Sequence, residues 1–395
     1  MIAESPALLS ARPKLSRLHV VTLTPFFPTE GNETDGCFIA EPLPYLAQHG
    51  ITNTVIAVSP FHQGRLVPLA TIPSQRIHYH CIPGNWGLAS SGNFLFRQLV
   101  DCIRELHRLQ WIDLIHSHSA LPCGHAARLV SRVLDIPYVV SVHGLDAFST
   151  TQAPWIFRTW CKRATVRVYR EAKQVLCVSR KVQDRVLTEC PEAPSEVVHN
   201  GVDPDLFSPP AKTSDGINVL CVGNLIPTKG QGVLLRAFAE VRKKVPQVTL
   251  KFIGNGPEER HLRNLAGQLG LSEAVTFAGR QDRESVLRAM RDCTIFTLPS
   301  FYEGLGCVYL EAMSCSRPVI ACRGQGIEDV IADGENGYLV PPHDHRALSE
   351  TIIQLVQNAM LREQIGRRAR QTIVGAYTLE QQAAKMIEAY REACG

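Results

Sequence analysis

Short apolar runs alternate with longer amphipathic stretches along this chain, and the alternation starts twice. Runs at 18–23, 53–58, 114–116, 138–142 and 175–178 have strand length, and helix-length segments at 37–49, 92–109, 120–134 and 155–173 lie between them. Strands separated by helices imply parallel pairing with both faces of the sheet covered. Residues 200–216, NGVDPDLFSPPAKTSDG, are rich in breakers and read as a link. Beyond it the pattern resumes with strands at 218–222, 249–253, 275–278, 295–298 and 318–321 and helices at 230–244, 257–269 and 283–291. Residues 344–393 read as helical throughout. The expected fold is α/β: two Rossmann-like domains with parallel sheets facing across a cleft. Its parts are a mobile tail (1–16), a first domain (17–200), a linker (201–216), a second domain (217–375) and a helix (376–395) crossing back to the first.

Several function classes fall away. The net charge of +4 over 395 residues is too small a surplus for a nucleic-acid binder. The 13 cysteines include no Cys-x-x-Cys pair, so zinc ribbons and thioredoxin-like sites lack support, and reduced thiols are expected. The N-terminus has no signal-peptide core, and no apolar run reaches about 18 residues. The expected location is cytoplasmic, with contact at the inner face of a membrane considered below. The first strand is followed by TPFFPTEGN rather than Gly-x-Gly-x-x-Gly, which argues against a dinucleotide site.

In parallel sheets ligands bind outside the carboxyl ends of the strands, so those ends hold the candidates. The strongest is 299–313, PSFYEGLGCVYLEAM. A strand ends near Leu298, a loop carries Glu303, Gly304, Leu305 and Gly306, and a helix starts near Cys307. Free amides at a helix start bind anions, and glycines let a phosphate approach the backbone. One carboxylate can meet a transferred group while the other, Glu311, accepts from a diol. A second site, VGNLIPTKG at 222–230, offers Lys229 to a phosphate as a point charge. Gly254 and Gly256, in FIGNGP, form a further strand-end turn, with Gly279-Arg280 ending the next strand. In the first half, His143 ends a strand in SVHGLD, with Asp146 just beyond it, and Gly36 opens the first helix. His116 and His118 are spaced for a metal, but no third ligand accompanies them, and acceptor contact by His118 is the reading adopted. No Asp-x-Asp pair stands at a strand end, so no catalytic metal and no cofactor are expected.

The spacing Glu303-x7-Glu311 resembles the signature of the family-four retaining glycosyltransferases, which have the GT-B fold, and the resemblance extends over about 17–390. It implies a nucleoside diphosphate sugar as substrate and Glu303 beside the donor sugar. It further implies Glu311 on the ribose hydroxyls and the amides of Gly304–Cys307 on the diphosphate. Gly254, Gly256 and Arg280 would frame the base, Gly36 would approach the diphosphate from the opposite domain, and His143 would lie near sugar and phosphate. The family usually has Arg at position 224, where this chain has Asn224, so Lys229 or another cation must carry that charge. The resemblance implies sugar transfer to a glycan or lipid-linked acceptor in polysaccharide or glycolipid synthesis. A nucleotide-sugar epimerase or hydrolase and a non-catalytic sugar-nucleotide-binding protein are the alternatives. Residues 155–173 mix six cations with Trp, Phe and Tyr. That pattern suits peripheral contact with an anionic membrane and equally a scaffold helix with a solvated basic face.

Overall fold

A computed structural model describes residues 17–30, 32–61, 67, 74–81, 86, 88–144, 153–210 and 216–395. The expected tail at 1–16 and part of the linker, 211–215, lie outside the described residues. The first sheet contains β1 (Leu18–Thr24), β2 (Ile51–Pro60), β3 (Gln75–Tyr79), β4 (Leu114–His118), β5 (Tyr138–Val142), β6 (Gln174–Cys177) and β7 (Ser195–Val197). The second contains β8 (Asn218–Val222), β9 (Thr249–Ile253), β10 (Val275–Phe277), β11 (Ile295–Thr297), β12 (Val319–Cys322) and β13 (Tyr338–Val340).

The sheets run β3-β2-β1-β4-β5-β6-β7 and β10-β9-β8-β11-β12-β13, and neighbouring strands pair in parallel. Each order reverses direction once, between β1 and β4 and between β8 and β11. At such a reversal adjacent crossovers leave on opposite faces, and a crevice opens at the carboxyl edge. The central strands β1, β4 and β5 are buried along their whole length because helices cover both faces.

Three strands are absent from the sequence reading: β3 (QRIHY), β7 (SEV) and β13 (YLV). All lie at sheet edges. Half-covered edge strands need no apolar run, and three residues are too few for a pattern. The helix Arg180–Glu189 is likewise unanticipated. The helix expected at 37–49 is two short ones, Cys37–Ala40 and Leu43–Gln48, parted at Pro42, which has no N–H to continue the ladder. The helical stretch expected at 344–393 is three helices: His345–Gln357, Ala359–Ala376 and Leu379–Cys394. Asn358 and Thr378 cause the breaks, since each side chain caps the next helix, Thr378 in a reciprocal capping box with Gln381.

The last helix packs under the first sheet. Ala383, Met386, Ile387 and Tyr390 share a buried cluster with Val20, Leu114, Val139 and Leu176. Its polar anchor is the Tyr390 hydroxyl, 2.7 Å from His116 Nδ1, while His116 Nε2 meets the Ser141 hydroxyl at 2.7 Å. All 13 cysteines are free thiols. Tyr390→Phe would keep the ring but strand one buried imidazole nitrogen, at a cost of about 1–3 kcal/mol. A lowered urea midpoint is expected, and an unchanged one would mean that water replaces the hydroxyl.

Candidate active site

The two strand-order reversals meet at one cavity of about 340 Å³, within the size range of small-molecule sites. From the second half come Val222 ending β8, Gly223 and Asn224 after it, Gly254 and Asn255 after β9, and Leu298 with Glu303–Cys307 after β11. From the first come Thr34, Cys37 and Phe38, from the segment after β1, and His143 after β5. Every one of these positions lies at or beyond the carboxyl end of a strand, where the parallel topology opens the crevice.

Backbone contact builds the floor. A Cβ on Gly304 would lie 2.0 Å from the carbonyl oxygen of His143, and one on Gly326 would lie 1.6 Å from that of Gly304. Only glycine permits these approaches, the first between the halves and the second within the second half. The Ser179 hydroxyl donates to the Gly304 carbonyl at 2.6 Å. Glu303 N–H and Lys181 Nζ both donate to the Gln325 side-chain oxygen, at 3.0 and 2.5 Å. Helix Arg180–Glu189 of the first half therefore holds the Glu303 loop of the second. Gly306 (φ 85°) starts helix Cys307–Ser314, whose first amides have no intrahelical partner.

Charges in the cavity are paired. Lys229 Nζ forms an ion pair with Glu303, both side chains largely buried. Arg283 donates to Glu311 at 2.6 Å and to Glu41, from the first half, at 2.6 Å. Burial pushes the Glu41 carboxyl up to about 7 despite this guanidinium. Arg280 stands exposed at the rim, and its charge reaches Asp35 opposite. His143 Nε2 and His118 Nδ1 share a hydrogen bond of 2.9 Å with their rings stacked, and Phe38 flanks His143. Burial holds His143 down at about 4 and His116 at about 3, and it lowers His118 well below its usual range. These imidazoles are neutral at pH 7, so His143 acts as a dipole and hydrogen-bonding group, not a cation.

Glu303, Glu311, Lys229, Asn224, Gly254, Arg280, Gly304, Leu305, Gly306 and His143 thus share one cavity. Gly36 (φ 68°) and Gly256 stand outside its lining. Gly36 turns the chain into the first helix, and Gly256 packs on the Leu225 carbonyl. His118 does not reach it either. The ring is 4% exposed, is hydrogen-bonded to His143 and lines a smaller adjoining pocket with His116 and Phe38. Asp146 lies outside the described residues. Sequence reasoning missed Arg283, Glu41 and Ser179. Arg283 is the first residue of a helix following β10, a strand-end signal that its neighbour Arg280 overshadows. Among the described residues, no group of three or more His, Cys, Asp or Glu side chains is arranged to hold a metal ion.

Comparison with known proteins agrees with this geometry. Residues 39–206 match the Glycosyltransferase Family 4 model and residues 203–372 the Glycosyl transferases group 1 model. An uncharacterized glycosyltransferase of Methanocaldococcus jannaschii is 31% identical over 263 residues, 66% of this chain and 70% of its own. The chain belongs to the group 1, family 4 glycosyltransferases. This transferase is also 28% identical over 295 residues to the GDP-mannose-dependent alpha-(1-6)-phosphatidylinositol monomannoside mannosyltransferase of Mycolicibacterium smegmatis, covering 70% of this chain and 76% of the relative. Among solved structures, sucrose-phosphate synthase from Thermosynechococcus elongatus superposes with a TM-score of 0.75 at 21% identity, over 95% of this chain and 98% of its own. HepE of Anabaena, in complex with UDP, gives 0.74 at 19%, over 94% and 99%. At these identities the likeness is one of fold, GT-B. As a family member the transferase is a retaining enzyme that moves a sugar from a nucleotide-sugar donor.

The buried imidazoles have a consequence for stability. Between pH 6.5 and about 4 the unfolded chain takes a proton on His143 while the folded chain does not, so stability is lost as pH falls through that window. Glu41 has the opposite sign, because the folded state keeps its proton up to about 7. The difference between wild type and His143→Gln isolates the imidazole. The thermal midpoint of the variant is expected to fall less steeply from pH 6.5 to 4, and parallel curves would contradict the neutral His143.

Proposed function

We propose that this transferase moves a hexosyl group from a nucleoside diphosphate sugar onto a hydroxyl of a glycan or lipid-linked acceptor, in polysaccharide or glycolipid synthesis. The supporting observation is the meeting of Glu303, Glu311 and Lys229 with His143 in one cavity between the halves. On this reading residues 17–200 form the acceptor half, 217–375 the donor half, and the terminal helix ties the second back to the first.

Each site residue then has a task. Lys229 and the amides of Gly304–Cys307 neutralise the diphosphate, without a divalent ion. An entering diphosphate competes with Glu303 for Lys229 and frees that carboxylate to orient the donor sugar. Asn224 supplies no charge, so Lys229 carries the part usually shared with an arginine. Glu311 receives the ribose, and Gly254, Gly256 and Arg280 border the base. Gly36 shapes the loop that approaches from the opposite half. Neutral His143, backed by His118, donates to a sugar hydroxyl or to the departing phosphate. None of these side chains is an obvious glycosyl nucleophile, so the acceptor attacks from the face the phosphate leaves. Its proton passes to a phosphate oxygen, and the anomeric configuration is kept. Catalysis comes from positioning and charge neutralisation.

A membrane-borne acceptor fits the outer face of helix Trp155–Glu171. Trp155 (81% exposed), Ile156 and Trp160 stand out beside exposed Arg158, Lys162, Arg163 and Arg167, and Trp86 packs edge-on to Phe157. Exposed aromatics among cations suit an anionic interface at the cytoplasmic face. The Mycolicibacterium relative is named for a phosphatidylinositol mannoside. Among the described residues no helix is long and apolar enough to cross a membrane.

Two measurements test the reading. In a thermal-shift panel of nucleotide sugars, the true donor at a hundred times its Kd should stabilise the fold by about 2.7 kcal/mol. With that donor, Glu303→Gln should still bind but lose at least about a hundredfold in transfer rate. Undiminished transfer, or an isomerised sugar from donor alone, would overturn the assignment.

A further inference from the structure

Glu311 is held by a cation from a different helix. Arg283, the first residue of helix Arg283–Asp292, divides its guanidinium between two carboxylates. Nη1 donates to Glu311 Oε1 and Nη2 to Glu41 Oε1, each at 2.6 Å, and the group lies 4.7 Å from the centroid of the Phe207 ring. Glu41 ends helix Cys37–Ala40 in the first half, whereas Arg283 and Glu311 belong to the second. The contact therefore crosses the cleft beside the cavity.

Glu311 is 2% exposed, yet Oε2 has no hydrogen-bond partner among the described residues, and the residue lines the cavity. A buried acceptor left unmet is disfavoured unless a ligand brings the donor. The charge-assisted bond on Oε1 fixes the carboxylate plane and so fixes where Oε2 points. Arg283 itself is poorly suited to a phosphate. Both terminal nitrogens are engaged, and two carboxylates face one guanidinium, so the cluster has no positive charge to spare.

We propose that Arg283 is a positioning residue for donor recognition: it orients Glu311 so that Oε2 accepts a ribose hydroxyl of a nucleoside diphosphate, and it ties this recognition to Glu41 across the cleft. The proposal rests on Glu311 as the ribose anchor and adds the residue that makes it one. It makes the sugar of the nucleoside, rather than the base or phosphates, the feature that Arg283 governs.

The test uses the full chain and calorimetric titration with UDP, GDP and ADP, then with the 2′-deoxy and 3′-deoxy analogues of the tightest binder. Wild type should lose about tenfold or more in affinity with at least one analogue, as for a hydrogen bond to a charged group. Arg283→Met keeps a stem to pack on Phe207 but cannot hold Glu311. It should bind the parent diphosphate about tenfold more weakly and the deoxy analogue as wild type does, so that the preference collapses. Arg283→Lys, able to reach one carboxylate but not both, should recover part of it. In turnover the donor KM should rise while kcat changes less than about threefold, the pattern of lost uniform binding. An undiminished ribose preference in Arg283→Met overturns the proposal. Should that variant not fold, full preference in Arg283→Lys does the same. A wild-type chain that binds the diphosphate with no preference for ribose removes the ribose reading itself, and one that binds no nucleotide removes the donor site.

Discussion

Parallel pairing sends every strand of a sheet to the same edge, and each sheet here reverses its order once, beside β1 and beside β8. That constraint governs the rest. The loops after β1, β5, β8, β9 and β11 open toward one another, and residues far apart in sequence, such as Cys37, His143, Lys229 and Glu303, line one cavity. A cleft of this kind needs no special loop to create it. It follows from crossovers that must leave on opposite faces once the order turns.

The cleft holds charge in a region that water only partly reaches, so each charge needs a partner or a ligand. Lys229 faces Glu303, and Arg283 faces Glu311 and Glu41. On the proposed reading a diphosphate changes the Lys229–Glu303 pairing alone, while the Arg283 pairs stay formed. The histidines meet the same problem differently. His118 and His143 stack and share one hydrogen bond, His116 bonds Tyr390 and Ser141, and all three stay neutral. The cost of burying a charge is avoided by not charging them.

Contact between the halves is made as much by backbone as by side chains. Gly304 sits against the His143 carbonyl, Gly326 against that of Gly304, and Ser179 bonds the Gly304 carbonyl. Glycine is required where two backbone segments approach to this distance, Gly304 across the halves and Gly326 within the second, and Gly304 borders the first turn of helix Cys307–Ser314, where an anion would rest. One stretch therefore serves interface and site together.

Much of this was legible without coordinates. Unbroken apolar runs marked the central strands and amphipathic stretches the long helices, because burial on both faces of a parallel sheet demands such a run. The Glu303–Glu311 spacing with its glycines marked a loop and helix start, because that chemistry is local. Edge strands β3 and β7 escaped notice because they are only part-buried, β13 because three residues make no pattern, and caps at Asn358 and Thr378 divided what the amphipathic pattern alone joined. The partners of Glu311 and the place of His118 were beyond reach. Arg283 is 28 residues from Glu311 and 242 from Glu41, and His116 is 274 from Tyr390. The sequence by itself determined which residues can bind a phosphate or accept from a diol. Only the tertiary structure decided which of them meet, because strand order and the packing of the two halves arise from contacts that no local spacing encodes.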